Sequence, residues 1–284
     1  MSKIIFFIFC SSALFSQLPE TDLILFKLKN VKNELIITES KTLTNRPGYD
    51  NQPSFTADQK NVFYVAIGED KQADIYSCDF KSGKTMQVTK TAESEYSPTW
   101  HADKNVIHAV VVEKDSSQRI HAYDVLSRSE KGLLFDEDSI GYFTYLNSDT
   151  VLYYKLTQPH SLRMRACSSG QDQFIASSII RGFKKINRHS FIFGIKDSTK
   201  VDFYTYDFNL AKAFYYCTYP SLAEDIIWHP QWGLLKSEKN QILRFSEETK
   251  QWTTFLDLEK FGIKTITRFI FDKKNKYLIV VNNK

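Results

Sequence analysis

"YDNQPSFTADQKNVFYVA" (residues 49–66) is followed by "SEYSPTWHADKNVIHAVV" (residues 94–111), and a proline, a small hydroxyl residue, an aromatic and an Ala-Asp pair recur in the same order. Pro53 and Pro98 are 45 residues apart. Using the aromatic after the proline as an anchor, Phe55 and Trp100 align with Tyr145, Ile186, Trp228 and Phe271, at spacings of 45, 45, 41, 42 and 43. A period of about 40–45 residues that holds four short strands is that of one propeller blade.

The strands of the first unit can be counted. Residues 53–56 open a strand, "ADQKN" is a polar turn, "VFYVA" the second strand, "GEDKQA" a loop, "DIYSCDF" the third strand, "KSGK" a turn and "TMQVT" the fourth. Each unit is therefore expected to be a meander of four antiparallel strands. Proline cannot donate to a ladder but is tolerated at a strand's first residue, so Pro53 and Pro98 are read as strand entries. Asp58 and Asp103 are expected to accept backbone hydrogen bonds one or two residues on and so hold the hairpin turns. The anchors, one per unit, would pack between neighbouring sheets.

The ends of the chain say how six units close. The sixth stops two strands in, at "YLIVVNNK", whereas "LILFKL" (residues 23–28) and "ELIIT" (residues 34–38) are two strands that lack a start. Joined, they complete one sheet and remove the exposed edges of an open array. The expected fold is all-β, a six-bladed β-propeller with four antiparallel strands per blade. One blade is closed by two N-terminal and two C-terminal strands, and the propeller occupies residues 17–284 as a single domain.

Composition agrees with this reading. A chain of 284 residues with 42% hydrophobic and 25% charged residues can bury a full core, and 22 Phe and 15 Tyr favour strands over helices. The segment "MSK" followed by "IIFFIFCSSALF" (residues 4–15) reads as an export signal, too short to span a membrane as a helix, with cleavage after Ser16; a buried first strand is the alternative. Cys10 follows Phe9 rather than a small residue and does not resemble a lipid-attachment site. No transmembrane segment is expected in the mature chain, which is placed in the periplasm or outside the cell.

Loss of residues 1–16 removes Lys3 and lowers the formal charge from +4 to +3, too little to argue for nucleic acid. The basic clusters "KKINR" (residues 184–188) and "FDKKNKY" (residues 271–277) are read as solvated hairpin turns. Cys78, Cys167 and Cys217 remain after cleavage, an odd number without CxxC spacing, and are read as isolated thiols. The six histidines form no HxH or HxxxH pair with an acidic neighbour, so no metal and no cofactor is assigned.

The repeats "YDNQPSFTADQKNVFYVA", "ADIYSCDFKSGKTMQVTK" and "SEYSPTWHADKN" resemble the WD40-like β-propeller repeat of TolB-type proteins, which runs Asn, gap, Pro, small residue, Trp, Ser-Pro-Asp-Gly, then a strand. The likeness covers residues 48–128 and fades to a hydrophobic pattern from about residue 139, and Asp-Gln and Asp-Lys stand where the family has Asp-Gly. The resemblance implies an envelope protein or peptide as partner. TolB carries an additional domain ahead of its propeller, however, and the six units leave no stretch for one here. Related oligopeptidases attach a serine hydrolase domain, but the sequence has no GxSxG elbow. Ser168, in "CSSGQD", is read as a turn residue, and no catalytic residue is assigned.

In propellers the loops entering the innermost strands surround one mouth of the channel, so the three residues before the proline column are the candidates. They are Asp50, Asn51 and Gln52; Glu95, Tyr96 and Ser97; Ile140, Gly141 and Tyr142; Arg181, Gly182 and Phe183; Ala223, Glu224 and Asp225; and Ile266, Thr267 and Arg268. The binding candidates among them are Asp50, Asn51, Gln52, Glu95, Tyr96, Tyr142, Arg181, Glu224, Asp225 and Arg268. Arginine pairs with carboxylates and tyrosine offers an apolar face with a polar tip, so the set suits a peptide terminus or a charged small molecule. Two functions follow: a monomeric, non-enzymatic binding propeller, or a propeller hydrolase or lyase working with carboxylates and histidines at the channel, with or without a divalent metal. The export reading is checked by mass spectrometry of the secreted protein, which should find a new N-terminus near Gln17; an intact Met1 refutes it.

Overall fold

The computed structural model describes residues 19–31, 34–101 and 105–284, so the export segment and Asp103 lie outside the described residues. The chain enters on β1 (Thr21–Val31) and β2 (Glu34–Thr42) and then builds five sheets in succession. Blade 1 is β3 (Tyr49–Phe55), β4 (Asn61–Ile67), β5 (Ala73–Asp79) and β6 (Thr85–Gln87). Blade 2 is β7 (Ser94–His101), β8 (Val106–Val112), β9 (Gln118–Asp124) and β10 (Glu130–Leu133). Blade 3 is β11 (Ile140–Tyr145), β12 (Thr150–Lys155), β13 (Ser161–Ala166) and β14 (Asp172–Ser177). Blade 4 is β15 (Ile179–Asn187), β16 (Ser190–Lys196), β17 (Val201–Asp207) and β18 (Lys212–Tyr219). Blade 5 is β19 (Ile226–His229), β20 (Gly233–Glu238), β21 (Gln241–Ser246) and β22 (Gln251–Asp257). The chain ends on β23 (Thr265–Phe271) and β24 (Tyr277–Asn283).

Each blade is an antiparallel meander, as the repeat predicts. The sixth is assembled from both ends of the chain in the order β23-β24-β1-β2, with β1 and β24 in continuous antiparallel register from Thr21↔Asn283 to Lys27↔Tyr277. The innermost strands touch one another around the ring, from β3 to β7, β11, β15 and β19, and β23 closes the circuit onto both β20 and β3.

The second strand of each blade is a continuous apolar run because blades cover both of its faces; residues 62–67 are all buried. The core accordingly divides into six clusters, one at each blade interface, with a small satellite around Val65, Ile67 and Ala73. The anchors sit in these interfaces. Trp100 stacks on Phe63 of the preceding blade at 6.0 Å, Tyr145 packs edge-on against His101 at 4.6 Å, Trp228 meets Tyr216 at 5.7 Å and Phe271 meets Trp232 at 5.3 Å. Cys78 and Cys217 are buried in different interfaces, and burial pushes the Cys217 thiol up to about 12.

Two local expectations need correction. Pro53 and Pro98 stand four residues inside β3 and β7, not at their entries. They are tolerated there because the ladder is broken at that point: the register shifts between Asn51 and Ser54 and between Tyr96 and Thr99, so no bond is asked of the missing N–H. The "KKINR" cluster is not a turn throughout, since Lys184 and Lys185 lie within β15. The turn at 272–276 is as expected, and Asp58 holds the β3–β4 turn by accepting from the Lys60 N–H at 3.0 Å.

Interface packing should dominate stability. Phe26, fully buried between blades 5 and 6, should cost about 3–5 kcal/mol when replaced by alanine, whereas Leu126→Ala, at an 84% exposed site, should stay within about 0.5 kcal/mol by chemical denaturation.

Candidate functional site

The first strand of each blade approaches the ring axis, and a bulge in five of the six determines what it shows to the channel. Register shifts fall between Asn51 and Ser54, Tyr96 and Thr99, Ile140 and Tyr142, Ile179 and Phe183, and Ile266 and Arg268, the columns just ahead of the aligned prolines. At two of them the bulge residue is left-handed, Gln52 at φ 56° and Ser97 at φ 54°, a conformation that is costly outside glycine. Hydrogen bonds hold both. The Gln52 N–H donates to Asn51 Oδ1 at 2.7 Å, and Gln52 Oε1 accepts the Ser97 N–H at 2.5 Å, so one blade's bulge caps the next.

Around the axis lies a cavity of about 240 Å³. The residue immediately before the proline column lines it in every blade: Gln52, Ser97, Tyr142, Phe183, Asp225 and Arg268. Arg181 and Lys184 add two more cations. Arg181 reaches in because the β15 bulge is long. That bulge packs beneath blade 5 so closely that a Cβ on Gly182 would come within 2.9 Å of the Ile226 side chain and 3.1 Å of the Glu224 carbonyl oxygen.

The cavity is electrostatically unbalanced: two guanidiniums and one ammonium face a single carboxylate, Asp225. Arg268 lies over the Tyr142 ring, 5.3 Å from its centroid, and Nη2 donates to the Tyr142 oxygen at 3.5 Å. Arg181 interacts with the same phenol, and its Nε is buried without an acceptor among the described residues. Lys184 keeps some exposure inside the channel, yet burial pushes its ammonium below the ordinary lysine range, with Arg268 and Arg181 adding to the shift and Asp225 opposing it. Tyr49 joins the group, accepting from Gln52 Nε2 at 3.3 Å. Burial raises its phenol while Arg268 and Arg181 pull it down.

No family model matches the sequence, and no curated protein matches it. Solved structures do match in shape. One assigned as TolB from Agrobacterium tumefaciens is 7% identical with a TM-score of 0.70, covering 94% of this chain and 99% of that one. Its fold is that of a TolB-like β-propeller. TolB from Acinetobacter baumannii superposes at a TM-score of 0.60 with 14% identity, over 93% of this chain and 64% of that chain. A gluconolactonase from Xanthomonas campestris gives 0.65 at 10% identity, over 91% and 95% of the two chains. At these identities the likeness is one of fold alone.

In this TolB-like propeller the remaining candidates fall outside the cavity. Asp50 is fully buried at the seam of blades 6 and 1, where Arg46 Nη2 bonds its carboxylate at 2.5 Å and the Thr21 hydroxyl donates to its carbonyl at 2.9 Å. Burial raises the Asp50 carboxyl in spite of Arg46. Asn51 Nδ2 donates to Thr267 Oγ1 at 3.4 Å across the same seam. Tyr96 packs against Val65, Ile67 and Ala73 of blade 1. Glu224 pairs with Lys196 at 2.5 Å near the mouth.

Glu95 is fully buried between blades 1 and 2. It accepts from the Thr89 hydroxyl at 3.0 Å, from the Thr91 hydroxyl and from the Tyr123 hydroxyl at 3.5 Å. Burial lifts its carboxyl to about 7 against the two threonine bonds, and nearby Asp74 contributes to the rise. Lys184 and Tyr49 were not among the binding candidates. Lys184 was hidden in a basic cluster read as a turn, and Tyr49 begins its strand ahead of the three residues selected.

The Glu95 site has a testable consequence for stability. Its folded carboxyl titrates above its unfolded one, so the native state holds the proton more tightly and stability falls by up to about 3 kcal/mol as pH rises from the ordinary glutamate range through about 7. Glu95→Gln, which keeps an acceptor for the threonines, should melt like the parent at pH 5 and higher than the parent at pH 8. A parent whose melting temperature is flat across that range refutes the assignment.

Proposed function

We propose that the protein is an exported, non-enzymatic binding propeller that holds a protein or peptide partner by a carboxylate at the channel mouth. The observation that carries this reading is the set Arg181, Lys184 and Arg268, converging on one cavity with Asp225 as its sole opposing carboxylate. Guanidiniums bind carboxylates through paired N–H donors, and the Arg181 Nε is a donor still without an acceptor among the described residues. Tyr142 and Phe183 supply apolar surface for the body of the ligand. Binding is preferred to catalysis because the charged groups that line the cavity are mainly fixed hydrogen-bond donors, Arg181, Lys184 and Arg268, beside the apolar surfaces of Tyr142 and Phe183. The shape likeness to a gluconolactonase identifies a shared scaffold, and chemistry depends on the side chains mounted on it.

The reading is tested by calorimetric titration with one peptide carrying a free C-terminal carboxylate and with its amide. The acid should bind at least about tenfold more tightly, and the double variant Arg181→Ala, Arg268→Ala should erase the difference at unchanged melting temperature. Affinity should fall as pH rises through the lowered Lys184 titration, because the ammonium is lost there before an ordinary lysine would lose it. Equal binding of acid and amide, or full affinity in the double variant, overturns the proposal.

A further inference from the structure

Lys184 borders a second cavity, of about 480 Å³, at the opposite end of the channel among the turns of blades 5 and 6. Blade 5 opens it: β19 has four residues where the other innermost strands have six to nine, and its hairpin turns back early. The walls are aromatic and fixed. Trp228 is held edge-on by Tyr216 at 5.7 Å, and Phe271 by His229 and Trp232 at 5.6 and 5.3 Å. Ile227 and Ile270 complete the apolar surface.

The polar groups of this cavity divide into spent and unspent. His229 is spent, since Nδ1 accepts the Gln231 and Trp232 N–H groups at 3.2 and 3.3 Å, which leaves Nε2 to donate to Asn275 Oδ1 at 2.7 Å. Burial also lowers its titration, so the ring is neutral near pH 7. Asp272 is spent on its own turn, accepting the N–H groups of Lys274, Lys276 and Tyr277 at 3.1, 2.6 and 2.6 Å. The Lys184 and Lys273 ammoniums and the Trp228 indole N–H have no hydrogen-bond acceptor among the described residues. Apart from the Gln231 amide, the side-chain groups left open are therefore donors, two of them cationic, beside a pair of aromatic faces. The volume lies within the range of small-molecule sites.

We propose that this opposite mouth is a binding site for a small aromatic carboxylate. The ring lies against Trp228 and Phe271, and the carboxylate accepts from Lys184, Lys273 and the indole N–H. The site differs in ligand and in most of its lining from the cavity at the upper mouth, where Arg181 and Arg268 stand, and the two share Lys184 and Ile270.

The probe is phenylacetate, titrated into the full protein beside acetate and 2-phenylethanol, with the indole N–H resonances of the four tryptophans followed by NMR. Phenylacetate should shift the resonance that disappears in Trp228→Phe and should bind at least about tenfold more tightly than either half-molecule. Lys273→Glu, on an exposed turn, should weaken it about tenfold with an unchanged melting temperature, whereas Arg268→Glu should leave its affinity within about twofold. Equal affinity for 2-phenylethanol, no shift of the Trp228 resonance, or loss in Arg268→Glu with none in Lys273→Glu each overturns the proposal. The last of these would locate phenylacetate at the upper mouth and leave the function proposed there standing.

Discussion

The pairing of β1 with β24 is the constraint on which the remaining structure depends. It joins residues 250 or more positions apart, from Thr21↔Asn283 to Lys27↔Tyr277, and it turns an open row of blades into a ring. In an open row the apolar faces now filled by Phe26 and Leu28 on one side and by Leu23 and Leu25 on the other would meet water, as would the free edges of β1 and β24. Closure gives every blade two neighbours. The hydrophobic core is thereby distributed over six similar interfaces instead of one centre.

The channel is a consequence of the same geometry. Because each first strand must run beside the axis, and because a bulge in most of them rotates the residue before the proline column inward, one alignment column becomes a ring of six side chains. The ring has no chemical character of its own. In this chain it holds an arginine, an aspartate, a tyrosine, a glutamine, a serine and a phenylalanine, and the irregular β15 bulge adds Arg181 with Lys184 following. The positive character of the channel thus comes largely from a single blade. That is consistent with a scaffold shared at 7–14% identity by proteins bearing different names, in which blades are kept for packing and loop-side residues are free to vary.

Burial also explains why polar residues beside the channel differ so much in role. Asp50 and Glu95 stand two residues apart from the channel-lining column, and both are withdrawn into blade seams, where Arg46 bonds one carboxylate oxygen of Asp50 and threonine hydroxyls bond both of Glu95. They stitch adjacent blades together. Their neighbours Gln52 and Ser97 face the axis and tie two bulges to each other.

The blade count, the strand meander and the closure from both termini were legible in the amino-acid sequence, because they rest on a repeat of anchors at Phe55, Trp100, Tyr145, Ile186, Trp228 and Phe271 and on two unmatched half-units at the ends. Local patterning is sufficient for such features, since every blade solves the same packing problem. Which of three adjacent residues faces the channel was not legible. A bulge adds one or two residues to a strand and rotates all that follow, and the position of a bulge depends on pairing with a neighbour instead of on the strand's own alternation. For that reason Lys184 looked like a turn residue and Glu95 like a rim residue, and only the packed ring decided that the first lines the channel and the second lies sealed between blades.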